Sequence, residues 1–319
     1  MSCEKFTPFH AQDIPDSSGY VAIVTGGNSG IGYETTLQLA LHGARVYIAG
    51  RSPDRVNKAI EQMKASSAKP LDLHMLEIDL QSLRSVKEGA EEFMRQEKRL
   101  DLLINNAGIM AVPFKLTTDG FETQWQTNHL GPFLLTKTLL PILESTAASS
   151  GSKNRVRIIN VSSDAAILPP TPNQLDMARP NLEHVTGAMN GWKRYGHSKI
   201  ASIVHARALH DRLRSKGISA YSVHPGIIAT NLQTASSGLF SMLVRHLIRW
   251  GLMPGLLSIP DGATSTLFCA TSEQAVVNSG GYFAPFGKTD RRPDRWNVDK
   301  SVVEKLWVES ERMIEGAGF

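Results

Sequence analysis

The chain has few cysteines, few aromatic residues and no long apolar run, and each shortage excludes something. Its two cysteines, Cys3 and Cys269, belong to no Cys-x-x-Cys or Cys/His pattern. A disulfide framework is therefore not expected, nor a metal centre, and a reducing, cytoplasmic setting is the simplest expectation. No stretch reaches the ~18 apolar residues of a membrane span. The nearest, 239–259, is broken by Arg245, His246, Arg249 and Pro254. Residues 1–18 are polar, carry Pro8 and Pro15, and have no apolar centre of leader type. Lysine and arginine number 34 against 30 acids, a formal charge of +4, but they are scattered rather than clustered, which argues against a nucleic-acid partner. No internal repeat and no linker divides the chain.

Apolar residues make up 41% of the 319 positions, enough for a sizeable core. Strand-like apolar runs fall at 20–25, 44–49, 71–78, 100–105, 156–161, 218–224 and 281–284. Helical patterns occupy 31–42, 53–65, 83–98, 120–145, 195–215, 262–270 and 299–314. Gly43 and Gly217 follow two of these helices where left-handed caps are expected. Strands of continuous apolar character alternating with helices predict an α/β fold, a doubly wound parallel sheet of Rossmann type. The expected organisation is one dinucleotide-binding domain over 1–319, with its core at 20–286 and a C-terminal extension at 287–319. Two segments leave the rhythm: 164–194, rich in proline and asparagine, and 232–260, apolar and glycine-containing. Both follow the carboxyl ends of strands, where open α/β sheets bind ligands.

The first strand runs into Thr25-Gly26-Gly27-Asn28-Ser29-Gly30-Ile31-Gly32 and then a helix. Glycines permit a tight turn and close approach of phosphate to backbone amides, and the helix N-terminus favours the negative charge. A dinucleotide site is therefore expected over Gly26, Asn28, Ser29, Gly30, Ile31 and Gly32. The second strand ends Ala49-Gly50-Arg51-Ser52. An acid here would hold a ribose 2′-hydroxyl. With Gly50 and Arg51 in its place, a 2′-phosphate and hence NADP(H) is favoured. Downstream, Tyr195-Gly196-His197-Ser198-Lys199 puts a phenol and an ammonium one helical turn apart on one face. A lysine so placed can lower the phenol's pKa and make it a proton donor near neutral pH. His197, His205, His210 and His224 match no zinc spacing and read as structural or surface histidines.

Taken in order, these motifs resemble the short-chain dehydrogenase/reductases. The resemblance spans about 20–286 and rests on Thr25–Gly32, Asp79, Asn105-Asn106-Ala107-Gly108, Asn128-His129-Leu130-Gly131, Ser162-Ser163, Tyr195 with Lys199, and His224-Pro225-Gly226 with Thr230. It implies that Tyr195 is the general acid/base and that Ser163 polarises the substrate carbonyl. Lys199 would tune Tyr195 and bind the nicotinamide ribose, while Asn128 holds a water linking Lys199 to solvent. It places Asp79 and Leu80 near the adenine. Asn105, Ala107 and Gly108 would line the cofactor cleft, and Pro225, Gly226, Ile228 and Thr230 its nicotinamide end. Ser163 and Tyr195 stand 32 positions apart, a long insertion that resembles the retinol-dehydrogenase-like branch. Members of that branch often carry an N-terminal anchor; none is legible here, so membrane residence and retinoid substrates are not carried over.

The expected activity is NADPH-dependent interconversion of a ketone or aldehyde and an alcohol on a medium-sized, largely apolar molecule, as in a biosynthetic pathway. Alternatives on the same scaffold are a non-redox isomerase or cyclase, and a dinucleotide-sensing scaffold protein. Trp192 reads equally as a substrate wall or as an anchor for the insertion. Phe240 and Leu243 are candidates for an apolar lid over the substrate, the favoured reading of a segment for which ordinary helix packing and a membrane-surface contact are the alternatives. The resemblance further implies a homodimer or homotetramer through the helices at 120–145 and 195–215.

Overall fold

The first strand, β1 (Val21–Thr25), reads VAIVT, and all of its side chains are buried. A strand without a polar side must be covered on both faces. It lies at the centre of an eight-stranded sheet in the computed structural model, which describes residues 7–151, 154–166, 175–228, 255–293 and 300–319. The other strands are β2 (Arg45–Gly50), β3 (Leu73–Glu77), β4 (Leu102–Asn105), β5 (Val156–Val161), β6 (Ile218–Val223), β9 (Tyr282–Ala284) and β10 (Lys288–Thr289). They run in the order β10-β9-β6-β5-β4-β1-β2-β3, all parallel except β10 against β9. The chain steps outward from β1 to β3 and returns to lay β4 on the other side of β1. That reversal opens a crevice at the carboxyl ends of β1 and β4.

Helices cover both faces. On one side lie α1 (Gly30–Leu41), α2 (Pro53–Ser66) and α7 (Ile259–Thr271); on the other α3 (Leu83–Gln96), α5 (Gly131–Ser149), α6 (Asn190–Leu213) and the C-terminal α8 (Lys300–Gly316). α3 shows why such segments form helices. Leu83, Val86, Ala90 and Phe93 recur every three or four residues and are all buried, and Ser82 caps the first turn by accepting from the Ser85 amide. Gly43 and Gly217 end their helices at φ +96° and +78°, as their positions predict. Below the sheet, fully buried Asp101 accepts from the Val21 amide at 2.8 Å and from Arg99 and Arg155, tying β1, β4 and β5 at the end remote from the crevice.

The structure departs from the sequence reading in four places. The helix expected at 120–145 is composite: a short α4 (Thr123–Trp125), one π-turn over Gln126–Leu130, then α5. α6 begins at Asn190, so the last residues of the expected insertion are already helical. Two-residue strands β7 (Ile227–Ile228) and β8 (Leu256–Leu257), too short for any periodic signal, pair in parallel and bring together the two ends of segment 229–254, which lies outside the described residues. Finally, the outer side of α5 and α6 is occupied by α8. Trp307 packs on Phe133 and His205, Arg212 pairs with Glu304 and stacks on Trp307, and Lys137 pairs with Glu311.

Candidate active site

The glycine turn is fixed from below by β4. Asn106 donates its side-chain amide to the Thr25 carbonyl at 2.8 Å, and the Thr25 hydroxyl accepts from the backbone amides of Asn106 and Ala107 at 2.9 Å each. Gly26 and Gly30 adopt φ +65° and +54°, which side chains disfavour. At Gly32 a Cβ would lie 2.4 Å from the Gly26 carbonyl oxygen and 2.5 Å from Asn106 Nδ2, so only glycine fits. Ser29 precedes α1 in extended conformation and caps no first-turn amide with its side chain. The helix N-terminus is thus left to an external acceptor. Sequence reading passed over Asn106 in favour of its neighbour. Asn105 is 4% exposed and donates inward to Asn160 at 2.9 Å and Thr136 at 3.3 Å. Its side chain therefore does not line the cleft, because the last residue of β4 faces α5.

Gly50 leaves room for Asn28 and Val56, whose side chains a Cβ there would meet at 3.6 Å and 2.9 Å. Arg51, next along, is exposed, and no ion pair or hydrogen bond holds its guanidinium among the described residues. Asp79 accepts from the Gln81 amide at 3.0 Å, and Leu80 is buried in the core behind it. At the far end of the crevice Pro225 is buried, Gly226 takes φ +93°, and Ile228 and Ile31 both reach the space left by Gly262 of α7. Thr230, Phe240 and Leu243 lie outside the described residues.

Between these ends stand Tyr195 and Lys199 on α6, 4% and 3% exposed. The two serines after β5 divide their work. Ser162 is buried and donates to the Lys199 carbonyl at 2.8 Å, holding α6, while the Ser163 hydroxyl accepts from the Ala165 amide at 3.1 Å beside the Tyr195 phenol, whose pKa it lowers. Lys199 Nζ donates to the Val161 carbonyl at 2.8 Å and lies 5.7 Å from the centre of the Tyr195 ring. A Cβ on Gly108 would sit 3.0 Å from Asn128 Oδ1 and 3.3 Å from Lys199 Nζ, so these three groups meet. The Asn128 amide is locked: Oδ1 accepts from the Ile109 amide at 2.9 Å, and Nδ2 donates to the Ile109 carbonyl at 3.0 Å and to Ser198 at 2.9 Å.

Electrostatics correct one expectation. Burial pushes the Tyr195 phenol up to about 12, against the smaller lowering effect of Ser163, and burial pushes Lys199 down to about 8. Lys199 Nζ donates to the Val161 carbonyl, and burial is the larger influence on the phenol. The phenol accordingly stays protonated at neutral pH, which is the form that donates a proton. Trp192 packs edge-on to Tyr195 at 6.2 Å over Met110, Ala111 and Ala165. Beside Ser163, the Asp164 carboxylate gathers Arg292 at 2.8 Å, His224 at 3.1 Å and the Tyr282 hydroxyl at 3.3 Å. Nothing in the local sequence marks this cluster; it assembles from residues at the ends of four strands, β5, β6, β9 and β10. Among the described residues no group of His, Cys, Asp and Glu is placed to hold a metal, and no helix is long and apolar enough to cross a membrane.

Known proteins are similar to this chain in sequence and in fold. Residues 20–174 match the family model described as short chain dehydrogenase. The short-chain dehydrogenase/reductase drtF of Aspergillus calidoustus is 39% identical over 308 residues, covering 93% of this chain and 94% of that protein. Retinol dehydrogenase 12 of Homo sapiens is 36% identical over 290 residues, covering 91% and 84%. Among solved structures, an uncharacterized protein from Mycobacterium Paratuberculosis aligns with a TM-score of 0.71 at 31% identity, over 97% of this chain and 98% of that one. Pseudomonas aeruginosa RhlG, solved with NADP, shares the fold with a TM-score of 0.64 at 23% identity, over 84% and 95%.

Proposed function

The chain belongs to the short-chain dehydrogenase/reductase family, NAD(P)-binding oxidoreductases of CH–OH and C=O groups, and from that premise we propose that it is an NADPH-dependent reductase of a medium-sized, largely apolar ketone or aldehyde. The observation that carries the reading is the buried Tyr195 phenol, beside Ser163 and one helical turn from Lys199 at the carboxyl end of β5. The residues present fit a dinucleotide: the crevice has glycine where a Cβ would collide, an uncapped helix start and a free guanidinium. Gly26, Asn28, Ser29, Gly30, Ile31 and Gly32 would hold its pyrophosphate side, Arg51 the 2′-phosphate and Asp79 the adenine. Gly108, Lys199, Pro225, Gly226 and Ile228 would hold the nicotinamide half. When bound, the cofactor supplies the hydride to the carbonyl carbon. Tyr195 hands its proton to the carbonyl oxygen, and Ser163 donates a hydrogen bond to the same oxygen as charge develops. Lys199 places a positive charge near the vacated phenolate, and its proton can replace the one lost. Trp192, Met110 and Ala111 give the substrate an apolar wall beside Tyr195. The test is whether NADPH absorbance falls in step with alcohol formed from a panel of ketones and aldehydes. Product without that change would point to an isomerase or cyclase instead.

Arg51 carries the choice between cofactors. A charge-assisted hydrogen bond contributes ~1.5–3 kcal/mol, so Arg51→Ala is expected to weaken NADPH binding roughly 10- to 100-fold and leave NADH nearly unchanged. Calorimetric titration with both cofactors separates these outcomes; equal losses would remove Arg51 from the site. Assembly is the other point open to measurement. α8 lies against Phe133 and Lys137 of α5 and His205 and Arg212 of α6, so association through these helices would have to accommodate it. Sedimentation at micromolar concentration is expected to give a monomer, and a dimer would show that another face associates.

A further inference from the structure

Asn128 sits on a π-turn, and π-turns need holding. One extra residue per turn weakens the ladder relative to α-helix, and relaxation to α would rotate every side chain that the turn presents. Within Gln126–Leu130, Asn128 points toward Gly108, Ile109 and Ser198, whereas His129 points to the opposite side. There its Nε2 lies 2.8 Å from the hydroxyl of Ser310, a residue of the C-terminal helix α8. His129 and Ser310 are 1% and 0% exposed. The ring is walled by Trp125 at 4.7 Å, His205 at 5.9 Å and Phe133 at 6.0 Å. Its other nitrogen, Nδ1, makes no hydrogen bond within the described residues. Burial holds the imidazole neutral, well below its ordinary pKa, so the contact with Ser310 is a hydrogen bond between uncharged groups.

We propose that Ser310 and His129 form a latch through which the C-terminal helix fixes the register of the π-turn and so positions Asn128 against Gly108, Ile109 and Ser198, and Lys199 beside them. The proposal rests on the reductase reading above. Both latch residues are positioning residues, since neither reaches the crevice. The route is short and wholly buried. Ser310 holds His129, His129 fixes the turn, Asn128 clamps Ile109 and Ser198, and Ser198 donates to the Tyr195 carbonyl at 2.7 Å. Ser202 adds a second link, donating to the Asn128 carbonyl at 3.4 Å.

Ser310→Ala removes the hydroxyl and almost no volume. In the full-length protein it is expected to lower kcat about tenfold, below the ~100-fold that a misplacement of 1 Å can cost, with KM for NADPH within twofold. Ser310→Thr keeps the hydroxyl and is expected to restore most of kcat. Val303→Ala is the control: it is buried about two turns before Ser310 on the same helix, and should lower the melting temperature while leaving kcat near wild type. A normal kcat in Ser310→Ala overturns the latch, as does an equal loss in Val303→Ala, which would mean general loosening of α8. Absence of NADPH turnover in the wild-type protein would instead count against the reductase reading, so the two failures are distinguishable.

Discussion

Replacing Tyr195 with phenylalanine is expected to lower turnover at least ~100-fold while cofactor affinity stays within a few-fold, because general acid catalysis of this kind contributes ~10²–10⁴. The ring remains, so packing against Trp192, Met110 and Ala165 is preserved. What goes is the hydroxyl that stands beside Ser163. The phenol is buried, protonated at neutral pH and placed beside Ser163. Lys199 is the nearest rescue, but its ammonium is engaged by the Val161 carbonyl. Lys199→Ala should differ in kind, damaging turnover and cofactor binding together. Single-turnover reduction with saturating NADPH separates the two. If Tyr195→Phe turned over at near wild-type rate, the proton would have to come from elsewhere and the assignment would fail.

Much of this site could be read before the structure, and the reason is local. Gly26, Gly30 and Gly32 are dictated by backbone conformation and close approach, constraints that act within a few residues. Tyr195 and Lys199 share a helix, so their spacing fixes their geometry. The sheet followed from continuous apolar strands such as VAIVT. What could not be read depends on contacts between distant segments. Asn105 and Asn106 are adjacent and chemically identical, and only strand direction decides which one faces α5 and which clamps the glycine turn. The Asp164 cluster joins residues after β5, β6 and β10. Occlusion of α5 and α6 depends on where the last helix docks, and an amphipathic stripe does not say against what it will pack. Helical spacing likewise brings Lys199 near Tyr195 but does not reveal that its ammonium donates to the Val161 carbonyl.

Acid should destabilise this protein sooner and more steeply than surface titration would. Three buried histidines are held neutral. Burial pushes His197 down to about 4 and His205 to about 3, and puts His129 well below its ordinary value. Hydrogen bonding agrees with burial. His197 Nε2 accepts from the Asp176 amide at 3.1 Å, and His205 Nδ1 faces the Asn160 side-chain amide at 3.3 Å, so each nitrogen needs its lone pair. In the unfolded chain these rings bind protons below about pH 6.5, but in the folded protein they do not until far lower. The unfolded state therefore takes up more protons across that window, and stability falls as pH drops through it. At ~1.4 kcal/mol per pH unit for each ring, His197 and His205 together cost about 4 kcal/mol at pH 5, a large share of the ~5–15 kcal/mol of an ordinary domain. Above pH 7 the effect is absent. Urea midpoints measured from pH 7.5 to 5 should drop steeply with the m-value unchanged. His197→Gln keeps an acceptor for the Asp176 amide and removes one titrating group, so it is expected to flatten the profile by about 2 kcal/mol at pH 5. A wild-type midpoint constant down to pH 5 would mean that water reaches these rings and that the aromatic cluster around Trp125 and Phe133 is looser than its packing indicates.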